Sequence, residues 1–96
     1  MPAYVIVFVE VTDPIQYAEY LKVTPGVIAK YGGKPVVRAG KTETLEGPEE
    51  KRRVVVIEFP SMEKAKEWYH SPEYTKAREL RQGAANGHLV LVEGVG

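Results

Sequence analysis

The sequence predicts an α+β fold, one four-stranded antiparallel sheet with its helices on a single face. Three observations lead there. Four runs rich in β-branched and aromatic residues are separated by two helical stretches, in the order β-α-β-β-α(α)-β. Three helix starts are marked, at Asp13-Pro14, at Ser61 and at Ser71-Pro72, the last two within the second stretch, each a side-chain oxygen that caps a helix, twice followed by a proline suited to its first turn. The strands are apolar on both faces, whereas a sheet with one wetted face alternates apolar and polar residues.

Ala3 to Val11 forms the first strand, free of Gly and Pro after Met1-Pro2. The first helix starts after Asp13 and carries Tyr17, Tyr20, Leu21, Thr24, Val27, Ile28 and Tyr31 as one stripe at three- and four-residue spacing. Thr24-Pro25-Gly26 is expected to kink or divide it, and Gly32-Gly33 ends it. Lys34 to Gly40 is a short second strand. Lys41 to Lys51, with Gly47-Pro48 and several charges, reads as an exposed hairpin connection. Arg53 to Phe59 is the third strand, stopped by Pro60. A helix then runs from Ser61 to about His70, and another from Ser71-Pro72 to about Gln82. "GAANG" breaks the last helix, and His88 to Val95 is the fourth strand. This order fits the ferredoxin-like βαββαβ sandwich, with spatial strand order 4-1-3-2.

The 96 residues make one domain, residues 1–96. Its helices cover one face of the sheet. Tyr4, Ile6 and Phe8 oppose Val5, Val7 and Val9 in the first strand, Val54 and Val56 oppose Val55, Ile57 and Phe59 in the third, and Val90 and Val92 oppose Leu89 and Leu91 in the fourth, so the face left uncovered is apolar as well. An apolar face of that extent calls for a cover. The expected cover is the same face of a second chain, giving a sheet-to-sheet homodimer.

Composition narrows the function. Thirteen basic residues balance thirteen acidic ones, so no overall basic footprint for nucleic acid is present. The third strand also offers valines where an RNA-binding sheet of this topology would present aromatic rings. The absence of cysteine removes disulfides and thiolate metal sites, and the two histidines stand 18 residues apart. No metal or other cofactor is expected. The first strand is too short to span a bilayer and lacks the marks of a signal peptide. A cytoplasmic protein is the expectation.

"EWYHSPEY" (Glu67 to Tyr74) reads as a junction of two helices over the core. Trp68 is assigned to the core, Tyr69 and Tyr74 to a pocket wall, and His70 to a helix C-terminus that favours an imidazole. Topology brings Glu10, Arg38, Arg53 and His88 to one edge of the sheet, where Tyr17 begins the first helix and Arg78 and Arg81 return. Arg38, Arg81 and Arg53, backed by Tyr17 and His88, form a candidate cluster for a small carboxylate. The bland reading is a rim of ion pairs such as Glu10 with Arg53. Glu58 and Glu93 lie at the opposite edge and read as solvated strand ends. The expected ligand site is therefore Tyr17, Arg38, Tyr69, Tyr74 and Arg81, with no catalytic residue named. A small organic acid or aromatic metabolite is the expected ligand. A non-catalytic interaction module and a cofactor-independent monooxygenase or isomerase are the alternatives.

Several motifs recur together in order: "DP-x-x-Y-x-x-Y" (Asp13 to Tyr20), "KYGGKPVVRAG" (Lys30 to Gly40), "LEG" (Leu45 to Gly47) and "RVVVIEFPS" (Arg53 to Ser61). "A-x-x-W-Y-x-SPEY" (Ala65 to Tyr74), "LR" (Leu80-Arg81) and "LVEG" (Leu91 to Gly94) follow. The combination resembles domain-of-unknown-function family 1330 of the dimeric α/β-barrel superfamily. That resemblance implies a ferredoxin-like homodimer and no particular activity. Arg38 and Arg81 fall on the pattern, whereas His70 falls on an open position.

Overall fold

The four β-branched runs pair into one antiparallel sheet in the computed structural model, which describes residues 1–96. The elements are β1 (Ala3–Val11), α1 (Pro14–Lys30), β2 (Lys34–Arg38), β3 (Arg53–Phe59), α2 (Met62–His70), α3 (Pro72–Arg81) and β4 (Ala85–Glu93). Strand order is β2-β3-β1-β4, which read from the other edge is the expected 4-1-3-2. The fold is the ferredoxin-like sandwich. No helix is long and apolar enough to cross a membrane.

The helix starts follow the local chemistry. Asp13 Oδ1 accepts from the Gln16 amide at 3.1 Å, and Ser61 Oγ from that of Lys64 at 3.2 Å. Ser71 serves two helices at once: its Oγ donates to the Trp68 carbonyl at 2.7 Å and accepts from the Tyr74 amide at 3.1 Å. One residue thus ends α2 and begins α3.

Three boundaries differ from expectation. α1 is not divided at Thr24-Pro25-Gly26 but runs through it as one helix. Tyr20, Thr24 and Ile28 are all buried on one stripe, so packing holds both halves on the same side of the lost Pro25 N–H. β2 ends at Arg38 rather than Gly40, because Ala39 turns away with φ +51°. β4 spans Ala85–Glu93 rather than His88–Val95, since Asn86 and Gly87 pair with Glu10 and Val9 of β1. The connection between β2 and β3 is exposed, as expected.

The core lies under the helices. Val5, Val7 and Val9 of β1 and Ile57 and Phe59 of β3 are buried there with Trp68, Tyr74 and Ala77. Gly33 joins α1 to β2 where a Cβ would meet Phe59 at 2.6 Å and Ile28 at 2.7 Å, so the turn admits no side chain. The opposite face carries Tyr4, Ile6, Phe8, Val54 and Val56, all part-exposed, while Val90 and Val92 are 42% and 43% exposed. Glu58 is less free than expected at this face, since it accepts a hydrogen bond from the Tyr4 hydroxyl at 2.9 Å.

Helix placement leaves room for a site. α2 is seated on β1, β3 and β4, whereas α1 packs chiefly against α3. The space between α1 and the β2–β3 half of the sheet is therefore only partly filled by side chains.

Candidate functional site

A cavity of about 350 Å³ occupies that space, within the range of small-molecule sites. Its exposed border is made by Leu21 and Pro25 of α1, Arg38 and Ala39 at the end of β2, and Arg53 at the start of β3. Ile28, Val55 and Ile57 supply apolar walls. Tyr17, Tyr20, Tyr74 and Trp68 form the buried interior.

Register explains the arginines. Arg38 pairs with Val55 across the β2–β3 ladder, and Arg53 precedes Val55 by two residues. Side chains two apart share a face, so both guanidiniums stand on the helix side of the sheet. The protein's ion pairs are Lys22–Glu19, Lys30–Glu73, Arg52–Glu50 and Lys64–Glu67, and neither Arg38 nor Arg53 is among them. No carboxylate or imidazole lines the cavity. The expected Glu10–Arg53 pair does not form. Glu10 instead accepts from the Asn86 amide, and the Arg53 guanidinium lies 5.9 Å from the Tyr17 ring centroid.

From that edge the aromatic rings follow one another inward. Tyr17 and Tyr20 are 5.4 Å apart, Tyr20 and Tyr74 6.4 Å, and Tyr74 and Trp68 4.2 Å. The hydroxyls of Tyr20 and Tyr74 share a buried hydrogen bond of 2.8 Å. Burial pushes the phenols of Tyr17, Tyr20 and Tyr74 above their ordinary range, with the neighbouring Tyr74 adding to the effect at Tyr20. All three are neutral hydrogen-bonding groups at physiological pH. Trp68 packs on Phe59 at 5.3 Å, and its Nε1 is a buried donor without a protein partner.

Of the five site residues expected from sequence, Tyr17, Arg38 and Tyr74 line this cavity. Arg81 stands behind it, its guanidinium 5.7 Å from the Tyr20 ring centroid, and lines a polar groove at the α3–β4 turn instead. Tyr69 lines a separate cavity of about 320 Å³ beside Lys66 and His70, and its hydroxyl accepts from Arg78. Trp68 and Leu89 are common to both cavities. His88 does not back the arginines. It stacks on Phe8 at 6.3 Å on the other face of the sheet, since it pairs directly with Phe8 across the β1–β4 ladder. Tyr20 was legible as part of the α1 stripe but not as a site residue. Its position three after Tyr17 was the available signal. Trp68 is core, as expected, and cavity wall as well.

Among solved structures the chain is similar to the RPA0582 protein of unknown function from Rhodopseudomonas palustris, with a TM-score of 0.79 and 25% identity over 99% of this chain and 83% of that one. It is similar to a dimeric ferredoxin-like protein of unknown function from Jannaschia sp. CCS1, with a TM-score of 0.72 and 13% identity, covering 98% of this chain and 100% of that one. It also shares its fold with SnoaB, a cofactor-independent oxygenase from Streptomyces nogalater, with a TM-score of 0.67 and 9% identity over 99% and 94% of the two chains. No curated protein matches the sequence. Residues 2–95 match the family described as Domain of unknown function (DUF1330), and the chain belongs to that family.

Proposed function

We propose that the protein is a homodimer in which each protomer binds a small organic acid or aromatic metabolite in the cavity between α1 and the sheet. The observation that carries this reading is the pair of guanidiniums without carboxylate partners, Arg38 and Arg53, on an otherwise apolar and aromatic cavity. Exposed arginines that face only apolar and phenolic groups present unused donors to an anion. Tyr17 and Tyr74 supply wall and hydrogen-bonding groups, Tyr20 joins them, and Arg81 adds positive potential through its place behind Tyr20. Tyr69 acts one layer out, its ring 5.7 Å from that of Tyr74.

Binding is favoured over chemistry by the groups present. A cofactor-independent oxygenation or isomerisation is accelerated by a side chain that takes a proton near neutral pH. The cavity offers arginines, which are already protonated, and phenols whose affinity for their protons is raised. The homodimer is supported by the apolar outer face of the sheet and by the dimeric ferredoxin-like protein from Jannaschia sp. CCS1.

Native mass spectrometry of the freshly purified protein tests both halves. A dimer carrying an extra few hundred daltons per chain, lost in Arg38→Gln/Arg53→Gln, is the expected result. A monomer overturns the dimer. Protein without added mass that also fails to bind aromatic carboxylates at millimolar concentration overturns the pocket.

A further inference from the structure

We propose that the acid held in the cavity carries one carboxylate and no second polar group, its body an aryl ring with an apolar substituent. The inference rests on the binding reading above and adds what the ligand must lack.

The free donors stand together at the border. Arg38 and Arg53 are exposed there, on one face of the sheet, and pair with no carboxylate. The Arg53 guanidinium lies over the Tyr17 ring at 5.9 Å, and its charge acts on the Tyr17 phenol. One carboxylate at this end meets two cations.

The interior contains polar atoms but offers none of them. The hydroxyls of Tyr20 and Tyr74 bond to each other at 2.8 Å. If Tyr74 donates, the Tyr20 hydrogen has the Thr24 hydroxyl as its acceptor. If Tyr20 donates, the remaining hydrogen belongs to Tyr74, which is 0% exposed. Thr24 spends its own hydrogen on the Tyr20 carbonyl. Trp68 Nε1 has no partner, yet it is itself buried, so an entering oxygen does not reach it. Leu21, Ile28, Val55, Ile57 and Leu89 complete an apolar wall.

A ketone, hydroxyl or second carboxylate carried inward would therefore lose its water and gain no partner, whereas an alkyl group there gains contact. An amine would find no carboxylate, since none lines the cavity. The rings of Tyr17, Tyr20, Tyr74 and Trp68 follow one another inward and suit a planar aryl body. Alkyl-substituted aromatic monocarboxylates belong to the class. Hydroxy acids, dicarboxylic acids and amino acids fall outside it.

Four compounds separate these features by calorimetry on the intact protein: para-isopropylbenzoate, its near-isostere para-acetylbenzoate, terephthalate, and para-isopropylbenzamide. The isopropyl acid is expected to bind about tenfold tighter than the acetyl acid. It is expected to exceed terephthalate and the amide by at least about tenfold as well. In Arg38→Gln/Arg53→Gln the isopropyl acid falls to the affinity of its amide. Acetyl acid or terephthalate binding as tightly as the isopropyl acid overturns this inference and leaves the cavity as a general acid site. A double variant that keeps the preference for acid over amide overturns the placement of the carboxylate. Failure of all four compounds to bind overturns the binding reading itself. The comparison of the three acids needs no variant, so it stands whatever the double substitution does to the fold.

Discussion

Tyr17, Tyr20 and Tyr74 illustrate how the environment of one side chain sets its chemistry. Each phenol is buried, and burial penalises the phenolate. Their folded-state pKa values lie above the unfolded value of about 10, so the folded state binds more protons than the unfolded chain in that region. The stability they contribute is complete below pH ~10 and is lost as pH rises beyond it. An absorbance titration at alkaline pH should show these three ionising late, in step with unfolding as followed by circular dichroism. Phenolate appearing from all six tyrosines near pH ~10 in folded protein would contradict the buried cluster. Glu73 shows the opposite sign. Its carboxylate is bonded by Lys30 and accepts from the Tyr31 hydroxyl at 3.0 Å, and the Lys30 bond above all holds its pKa down to about 2. The stability it contributes is present above its ordinary pKa of 4.5 and is lost as pH falls from there through about 2. Urea midpoints measured between these limits should fall less steeply for Glu73→Gln than for the unaltered protein.

At the scale of elements, the junction of α2 and α3 is the part on which the site most depends. Ser71 holds the Trp68 carbonyl and the Tyr74 amide with one hydroxyl, and so sets the distance between the two rings that close the cavity. Ser71→Ala should cost about 1–2 kcal/mol of stability, measured by urea unfolding, and should quench or shift the fluorescence of the single Trp68 by loosening its contact with Tyr74. Much of this junction was readable in "EWYHSPEY", because capping is local chemistry: a serine before a proline states where a helix begins. The continuity of α1 through Pro25 was not readable. Local propensity argues for a break, and only the burial of Tyr20, Thr24 and Ile28 on a common side outweighs it.

For the whole molecule, the outer sheet face is the dominant feature. Tyr4, Ile6 and Phe8 lie beside Val54, Val56, Val90 and Val92, an apolar surface that a second copy would remove from water. Val90 is 42% exposed in the single chain, so a lysine there meets no steric barrier within the protomer. Val90→Lys should leave the fold intact by circular dichroism and convert a dimer into a monomer in sedimentation velocity. Retention of the dimer would place the contact elsewhere.

The amino-acid sequence by itself determined the element order, the helix caps, the two apolar faces of the sheet and the family. Each of these depends on neighbours in the chain, on period-two or period-3.6 patterns, or on motifs read in order. Tyr17 and Arg38 could be brought toward one site because strand direction and a helix start place them at a common end, and Tyr74 because the Ser71-Pro72 junction sets it over the core beside Trp68. Only the tertiary structure decided that Tyr20, 54 residues from Tyr74, shares its hydroxyl bond. It alone turned Tyr69 toward Arg78, set Arg81 behind the cavity and sent His88 to the other face. A periodic stripe states which side of a helix is buried, but not which residues of another element meet it. That choice is made by the separation of α1 from the sheet and by strand register, where one residue of shift reverses the face.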